Sequence, residues 1–204
     1  MTEAPPDLTA SEPTTRQYPM YGVFSPANMV TIARILASPY LFWLIVSREE
    51  QGGTSWRLFV LAIIFGSSDY LDGWLARRTN SIGRLGAFLD PFADKVVVIG
   101  SLVSFWSIGR FHWLPVVLIA AREAVIMLVR VRFAAEGLAM PARQLAKWKA
   151  TVQGLALLLA ATPALLDHDW VVQIMLWASV TLTLWTGGQY ILDGRAATRT
   201  TGKR

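Results

Sequence analysis

Six apolar stretches follow one another along most of this chain, and each is close to the roughly 20 residues that a membrane-spanning helix requires. They cover residues 27–47, 57–77, 86–107, 112–132, 148–166 and 170–192. Only 16% of the residues are charged, against about 25% in a typical soluble domain. Short connections between the stretches favour antiparallel neighbours. We therefore predict an all-α polytopic membrane protein with six transmembrane helices in one bundle.

The two ends of the chain differ from this apolar part. Residues 1–25 are rich in Pro, Thr, Ala and Glu and lack the basic-then-apolar order of a signal peptide, so we predict a flexible cytoplasmic tail there. Residues 26–193 form the predicted membrane domain, and residues 194–204 form a basic cytoplasmic tail. The chain has no Cys, which excludes a disulfide framework and a thiolate metal site.

Lys and Arg residues are distributed unequally between the two sides of the predicted bundle. Thirteen of the 19 lie in the tails and around the second and fourth connections, and three lie on the other side. By the positive-inside rule, both termini are cytoplasmic in a multi-pass protein of the inner or plasma membrane. We interpret the net charge of +5 as this topology signal and predict no nucleic-acid partner. Arg34, Lys95 and Arg122 remain within predicted spans, where a charge is costly and usually functional.

Four aspartates interrupt the second and third stretches near the cytoplasmic side. Asp69 and Asp72 are three residues apart, and Asp90 and Asp94 are four apart, so each pair lies on one face of its helix. Carboxylates this close cannot all be ionised without a positive partner. All-oxygen ligation favours Mg²⁺ or Mn²⁺, and four carboxylates suit two divalent ions about 3.5–4 Å apart, as in in-line phosphoryl displacement. We therefore predict a site for reaction at phosphorus that faces the cytoplasm.

Two other roles for the aspartates are a cation or proton pathway, and a structural cluster neutralised by Lys95 and Arg122. A pathway requires polar groups that continue to the far side of the membrane, whereas the polar groups of these stretches stop halfway. A charge within a span costs about 2.5–3.5 kcal/mol on insertion scales, which disfavours keeping four carboxylates for structure alone. An enzyme is therefore favoured over a transporter or a structural protein.

The aspartates belong to a longer pattern with fixed intervals. It runs from residue 69 to residue 94, and its eight positions are Asp69, Asp72, Gly73, Ala76, Arg77, Gly86, Asp90 and Asp94. This pattern resembles the signature of the CDP-alcohol phosphotransferases. The resemblance implies a CDP-linked donor, commonly CDP-diacylglycerol, whose lipid-bearing phosphate is attacked by an acceptor hydroxyl with release of CMP. It also implies the six-helix membrane domain of that family and a homodimer.

The resemblance further implies roles for individual residues. Asp69, Asp72 and Asp90 would be metal ligands, and Asp94 would be both a metal ligand and the general base. The CDP-diacylglycerol site would be formed by Asn28, Thr31, Asp69, Gly73, Ala76, Arg77 and Gly86.

Three further stretches, SPANMVTIAR, AREAVIMLVR and AKWKATVQ, resemble the branch of the family whose acceptor is glycerol 3-phosphate. The implied ligands of the acceptor phosphate are Arg34, Arg122, Arg130, Lys147 and Lys149. Arg122 and Arg130 are about two turns apart on one helix face, which suits a cationic pocket for a phosphorylated acceptor. Glu123 is expected to pair with a basic neighbour. The alternative acceptors are an inositol phosphate, which needs the same cations, and phosphatidylglycerol.

Overall fold

The computed structural model describes the backbone of residues 26–79, 84–135 and 144–201, and the side chains of residues 28–68, 92–129, 131–132 and 148–190. These residues form six α-helices and two short 3₁₀ helices, Glu49–Gln51 and Pro163–His168, and no strand. The α-helices are α1 Pro26–Val46, α2 Trp56–Thr79, α3 Arg84–Ser107, α4 Trp113–Ala135, α5 Gln144–Ala161 and α6 Asp169–Thr201. The all-α prediction is confirmed for this part of the chain.

The helices differ in how well they meet the requirements of a membrane span. Within the described residues, Asn28–Val46 and Pro163–Tyr190 are long and apolar enough to cross a membrane. The apolar helical stretches Trp56–Ser68 and Trp148–Ala161 are shorter. Helices α3 and α4 carry charged residues in their middle, which lowers their hydropathy. Two of the six predicted spans thus have the length and the apolar composition of a membrane-crossing helix.

The hydrophobic core lies between all six helices and is richest where α1, α3, α4 and α6 meet. Its large, fully buried side chains include Ile45, Leu102, Phe105, Ile119 and Leu176. Helices α1 and α3 pack most extensively. At their crossing the ring of Phe42 occupies the space beside Gly100, where a Cβ atom would lie only 2.1 Å from the ring Cζ. This glycine therefore permits the close approach of α1 to α3.

One end of the bundle is held together by Arg110, which lies between α3 and α4. Its NH1 group donates to the carbonyl oxygen of Gly52 at 2.7 Å, and its NH2 group lies 3.1 Å from a carboxylate oxygen of Asp169. Its own carbonyl oxygen accepts from Nε2 of Gln173 at 3.1 Å. Burial lowers the pKa of the Arg110 guanidinium, and the charge of Asp169 acts against that shift. These contacts join the α1–α2, α3–α4 and α5–α6 connections into what we call the Arg110 end.

Gly52 reaches Arg110 through a backbone conformation that favours glycine. Its φ is +58°, and that of Gly53 is +68°, both in the left-handed region. A Cβ atom on Gly52 would lie 2.9 Å from NH1 of Arg110 and 2.8 Å from Cδ1 of Leu166. The sequence Gly-Gly at this turn thus allows the backbone carbonyl to meet a buried guanidinium.

Candidate active site

A cavity of about 520 Å³ opens between α1, α2, α3 and α5. Its charged lining residues are Arg34 of α1 and Asp94 of α3. The two lie 12 and 13 residues before the ends of their helices, Val46 and Ser107, so they stand at the same level of the bundle. Towards the Arg110 end the walls are mostly apolar: Leu41, Ala62, Val98, Leu157 and Leu158 line the cavity, with Ser101 as a polar exception. The cavity therefore combines a charged end with an apolar extension, as a phospholipid does.

Asp94 is the predicted catalytic residue whose side chain the structure describes. It is exposed and lines the cavity, whereas its neighbour Ala93 is fully buried. The carboxylate lies within electrostatic range of Lys95, Lys149, Glu123 and Arg34. Its position thus lets Asp94 meet a ligand in the cavity while nearby cations favour an anionic ligand there.

The other predicted metal ligands lie outside the described side chains. Asp69 and Asp72 are on α2 and Asp90 is on α3. Among the described residues, no group of three or more His, Cys, Asp or Glu could hold a metal ion. The cavity-facing carboxylate of Asp94 suits a hard divalent cation, because Mg²⁺ and Mn²⁺ prefer oxygen ligands. The metal site therefore stays a prediction from the sequence. The position of Asp94 suits it as one of the ligands.

Several predicted substrate-binding residues also lie outside the described side chains. They are Gly73, Ala76, Arg77, Gly86, Arg130 and Lys147. Three others share one face of α1: Asn28, Thr31 and Arg34 are buried, with exposed fractions of 2%, 0% and 6%. Their spacing of three residues places them in a row along the helix. Arg34, at the end of this row, reaches the cavity.

A buried ion cluster lies beside the cavity, with Glu123 of α4 at its centre. Glu123 Oε1 accepts from NH1 of Arg122 at 2.9 Å and from Nζ of Lys149, and Glu123 Oε2 lies 3.3 Å from Nζ of Lys95. The exposed fractions of the Glu123 and Lys149 side chains are 8% and 11%. The pairing of Glu123 with a basic neighbour is confirmed, and the carboxylate meets three cations from α3, α4 and α5. We call these four residues the Glu123 cluster.

Arg122 is also attached to α6. Its Nε group donates to the carbonyl oxygen of Thr183 at 3.1 Å, and its NH2 group donates to Oγ1 of Thr186 at 3.0 Å. A Cβ atom at Gly187 would lie 3.2 Å from Cγ and Nε of Arg122. The guanidinium is therefore held by hydrogen bonds on all three of its nitrogens and by close packing.

Sequence reasoning did not identify the contribution of α6 to this region. Thr183 and Thr186 are buried on a helix that is otherwise mostly apolar, and Gly187 follows them. Small and hydroxyl-bearing residues in an apolar helix are a typical signal of a helix contact. The sequence contains this signal, but the signal does not identify the residue that α6 contacts.

Comparison with known proteins gives consistent results over most of the chain. Residues 24–185 match the model of the family described as CDP-alcohol phosphatidyltransferase. A cardiolipin synthase (CMP-forming) from Streptomyces coelicolor is 35% identical over 190 residues, with 87% of this chain and 86% of the relative covered.

Two other relatives carry the name CDP-diacylglycerol–glycerol-3-phosphate 3-phosphatidyltransferase. The relative from Rickettsia typhi is 33% identical over 170 residues, which cover 80% of this chain and 93% of the relative. The relative from Haemophilus influenzae is 32% identical over 180 residues, which cover 82% of this chain and 92% of the relative.

Proposed function

We propose that this chain, which belongs to the CDP-alcohol phosphatidyltransferase family, transfers a phosphatidyl group from CDP-diacylglycerol to sn-glycerol 3-phosphate. The products are phosphatidylglycerol phosphate and CMP. The observation that carries the proposal is the cavity with Arg34 and Asp94 at its charged end and an apolar extension. A donor with a charged diphosphate and apolar acyl chains fits this division. The names of several relatives support this choice of acceptor.

The reaction joins the C1 hydroxyl oxygen of the acceptor to the phosphorus atom that bears the diacylglycerol. Asp94 takes the proton of that hydroxyl, since its carboxylate faces the cavity. The new O–P bond forms as the O–P bond to the departing CMP breaks, with the two oxygens in line. Arg34 is at the same level as Asp94 and stabilises negative charge on the reacting phosphate.

We propose that Asp69, Asp72, Asp90 and Asp94 hold two divalent ions, Mg²⁺ or Mn²⁺. Four carboxylates provide the all-oxygen ligation that these ions prefer. When bound, the ions would stabilise charge on the phosphate oxygens of the donor.

The remaining predicted residues divide between donor and acceptor. For the donor we propose the α1 residues and the motif residues, namely Asn28, Thr31, Asp69, Gly73, Ala76, Arg77 and Gly86. The acyl chains extend along the apolar part of the cavity. For the acceptor phosphate we propose Arg34, Arg130, Lys147 and Lys149; Lys149 directly precedes the cavity-lining residues Ala150 and Thr151. Arg122, the fifth predicted ligand, is bonded to Glu123, Thr183 and Thr186.

We propose that all six helices cross the inner or plasma membrane as one domain of residues 26–193, with both termini and the active site on the cytoplasmic side. Exposed tryptophans support this arrangement, because tryptophan is enriched at membrane interfaces. Five of them lie near the Arg110 end: Trp43, Trp56, Trp106, Trp113 and Trp170. They occur on α1, α2, α3, α4 and α6, which supports one interface level for all these helices. A homodimer is part of the same proposal by family resemblance.

A second candidate keeps the donor and changes the acceptor to phosphatidylglycerol. The Streptomyces coelicolor relative, which the chain covers for 86% of its length, favours it by its name. The Glu123 cluster favours the first candidate, because three cations around one carboxylate suit a phosphate monoester dianion better than a singly charged phosphodiester.

The proposed reaction is tested with the purified full chain in lipid nanodiscs. CDP-diacylglycerol, glycerol 3-phosphate and Mg²⁺ together are expected to release CMP, and omission of the acceptor is expected to abolish the release. CMP release at the same rate without any acceptor would identify a hydrolase and contradict the proposal.

A further inference from the structure

We propose that Glu123 and Arg122 are positioning residues: Glu123 holds Lys149 beside the cavity, and Arg122 fixes Glu123 to α6. Neither side chain would itself bind the acceptor phosphate. The inference rests on the proposed function and deepens it, because it assigns the task of contacting the acceptor to Lys149.

Three cations share the carboxylate of Glu123. Lys95, Arg122 and Lys149 all approach Glu123, so the four groups carry a surplus of positive charge, which the nearby carboxylate of Asp94 offsets only in part. A buried charge without full compensation is costly. An anionic ligand next to the Glu123 cluster would reduce that cost. The cluster therefore favours the binding of an anion.

The guanidinium of Arg122 donates hydrogen bonds within the protein from each of its nitrogens. Its Nε and NH2 groups bond to Thr183 and Thr186, and its NH1 group bonds to Glu123. Gly187 packs against its side chain. Three of the five N–H donors of Arg122 are thus used within the protein, and the packing against Gly187 fixes the guanidinium towards α6 and Glu123. Arg122 therefore links α4 to α6.

Lys149 lies between Glu123 and the residues of α5 that line the cavity. Its ammonium group bonds to Glu123, and the next residues on α5, Ala150 and Thr151, line the cavity. Lys149 is also within electrostatic range of Asp94. An ammonium group has three donors, so Lys149 can bond to Glu123 and still meet an anionic acceptor. Loss of the Glu123 carboxylate would release the ammonium from this position.

The test compares Glu123→Gln, Glu123→Asp and the wild type in nanodiscs, with Glu50→Gln as the control because Glu50 is exposed in the α1–α2 connection. We expect Glu123→Gln to raise the KM for glycerol 3-phosphate at least about tenfold, since a buried charged partner is lost. The KM for CDP-diacylglycerol stays within about twofold. Glu123→Asp keeps the charge and gives an intermediate acceptor KM, and Glu50→Gln has no effect.

A second pair of variants covers the case in which Glu123→Gln fails to fold. Gly187→Ala places a Cβ atom 3.2 Å from Arg122, whereas a Cβ atom on Gly188 meets nothing within 4 Å. We expect Gly187→Ala to raise the acceptor KM and Gly188→Ala to leave it unchanged. A rise of both KM values together, or a fall of kcat alone, would overturn the positioning role. If the wild type uses phosphatidylglycerol instead, the proposed function fails, and the positioning role is judged by the KM for that acceptor.

Discussion

Asp94 of α3 and Arg34 of α1 face the same cavity at the same level of the bundle. Their opposite charges lie where the polar end of an amphipathic donor would meet the attacking acceptor. Arg34 is suited to stabilise charge on phosphate, and Asp94 is suited to remove a proton.

Replacement of Asp94 by Asn is expected to lower kcat by about 10²–10⁴-fold, because positioned general bases contribute rate factors of that size. The amide keeps the shape of the side chain but cannot take the proton. The measurement is CMP release at saturating donor and acceptor, with the unfolding midpoint of the variant as the control for folding. Undiminished activity of Asp94→Asn would remove Asp94 from the role of base.

Removal of divalent ions is expected to abolish the reaction and leave the fold intact. The four aspartates then lose the cations that allow them to be ionised together. Activity after EDTA treatment and dialysis is expected to return with Mg²⁺ or Mn²⁺ and to remain absent with Ca²⁺, which favours larger coordination numbers. Full activity in the presence of EDTA would contradict the proposed metal site.

Replacement of Gly154 by Leu is expected to narrow the apolar part of the cavity. Gly154 lines it, and a Cβ atom there meets nothing within 4 Å, so the new side chain enters open space. The KM for long-chain CDP-diacylglycerol should rise while that for a short-chain analogue changes little. Gly188→Leu is the control, since Gly188 is exposed and lies outside the cavity. Equal effects of the two variants would argue against an acyl-chain site.

Replacement of Arg110 by Met is expected to destabilise the protein without changing the KM for either substrate. The variant removes the contacts with Gly52 and Asp169 that join the connections of the Arg110 end. We expect a loss of about 1–3 kcal/mol, because a buried carbonyl loses its donor. The measurement is the free energy of unfolding, with Arg57→Met as the control because Arg57 is exposed near the same end. An unchanged free energy of unfolding would contradict the role of Arg110 in joining these connections.

The helix order and the place of Asp94 on α3 could be predicted from sequence, because apolar length and i, i+4 spacing are local signals. The partners of Arg122 and Arg110 could not. Thr183 is 61 residues from Arg122, and Gly52 is 58 residues from Arg110. Such contacts depend on which helix faces pack together, and spacing rules do not determine that. The family resemblance implies that Arg122 binds the acceptor phosphate. Its described hydrogen bonds are with α6 and Glu123.

Lys149 illustrates the same limit for the acceptor site. In the sequence, Lys149 of AKWKATVQ has two interpretations. It can bind an anionic acceptor, or it can be one of the positive charges that set the orientation in the membrane. In the structure Lys149 is buried and bonded to Glu123, and its role in acceptor binding stays a prediction. The sequence does not show that Lys149 contacts Glu123 of α4, because this contact joins residues that are 26 positions apart.

The most direct measurement is an acceptor competition with the purified protein in nanodiscs. CDP-diacylglycerol and Mg²⁺ are supplied with equal concentrations of labelled glycerol 3-phosphate and labelled phosphatidylglycerol, and the lipid products are separated. The expected result is phosphatidylglycerol phosphate as the main product, formed in equal amount to CMP. Cardiolipin as the main product would contradict the proposed acceptor. The absence of both lipid products would contradict the proposed reaction.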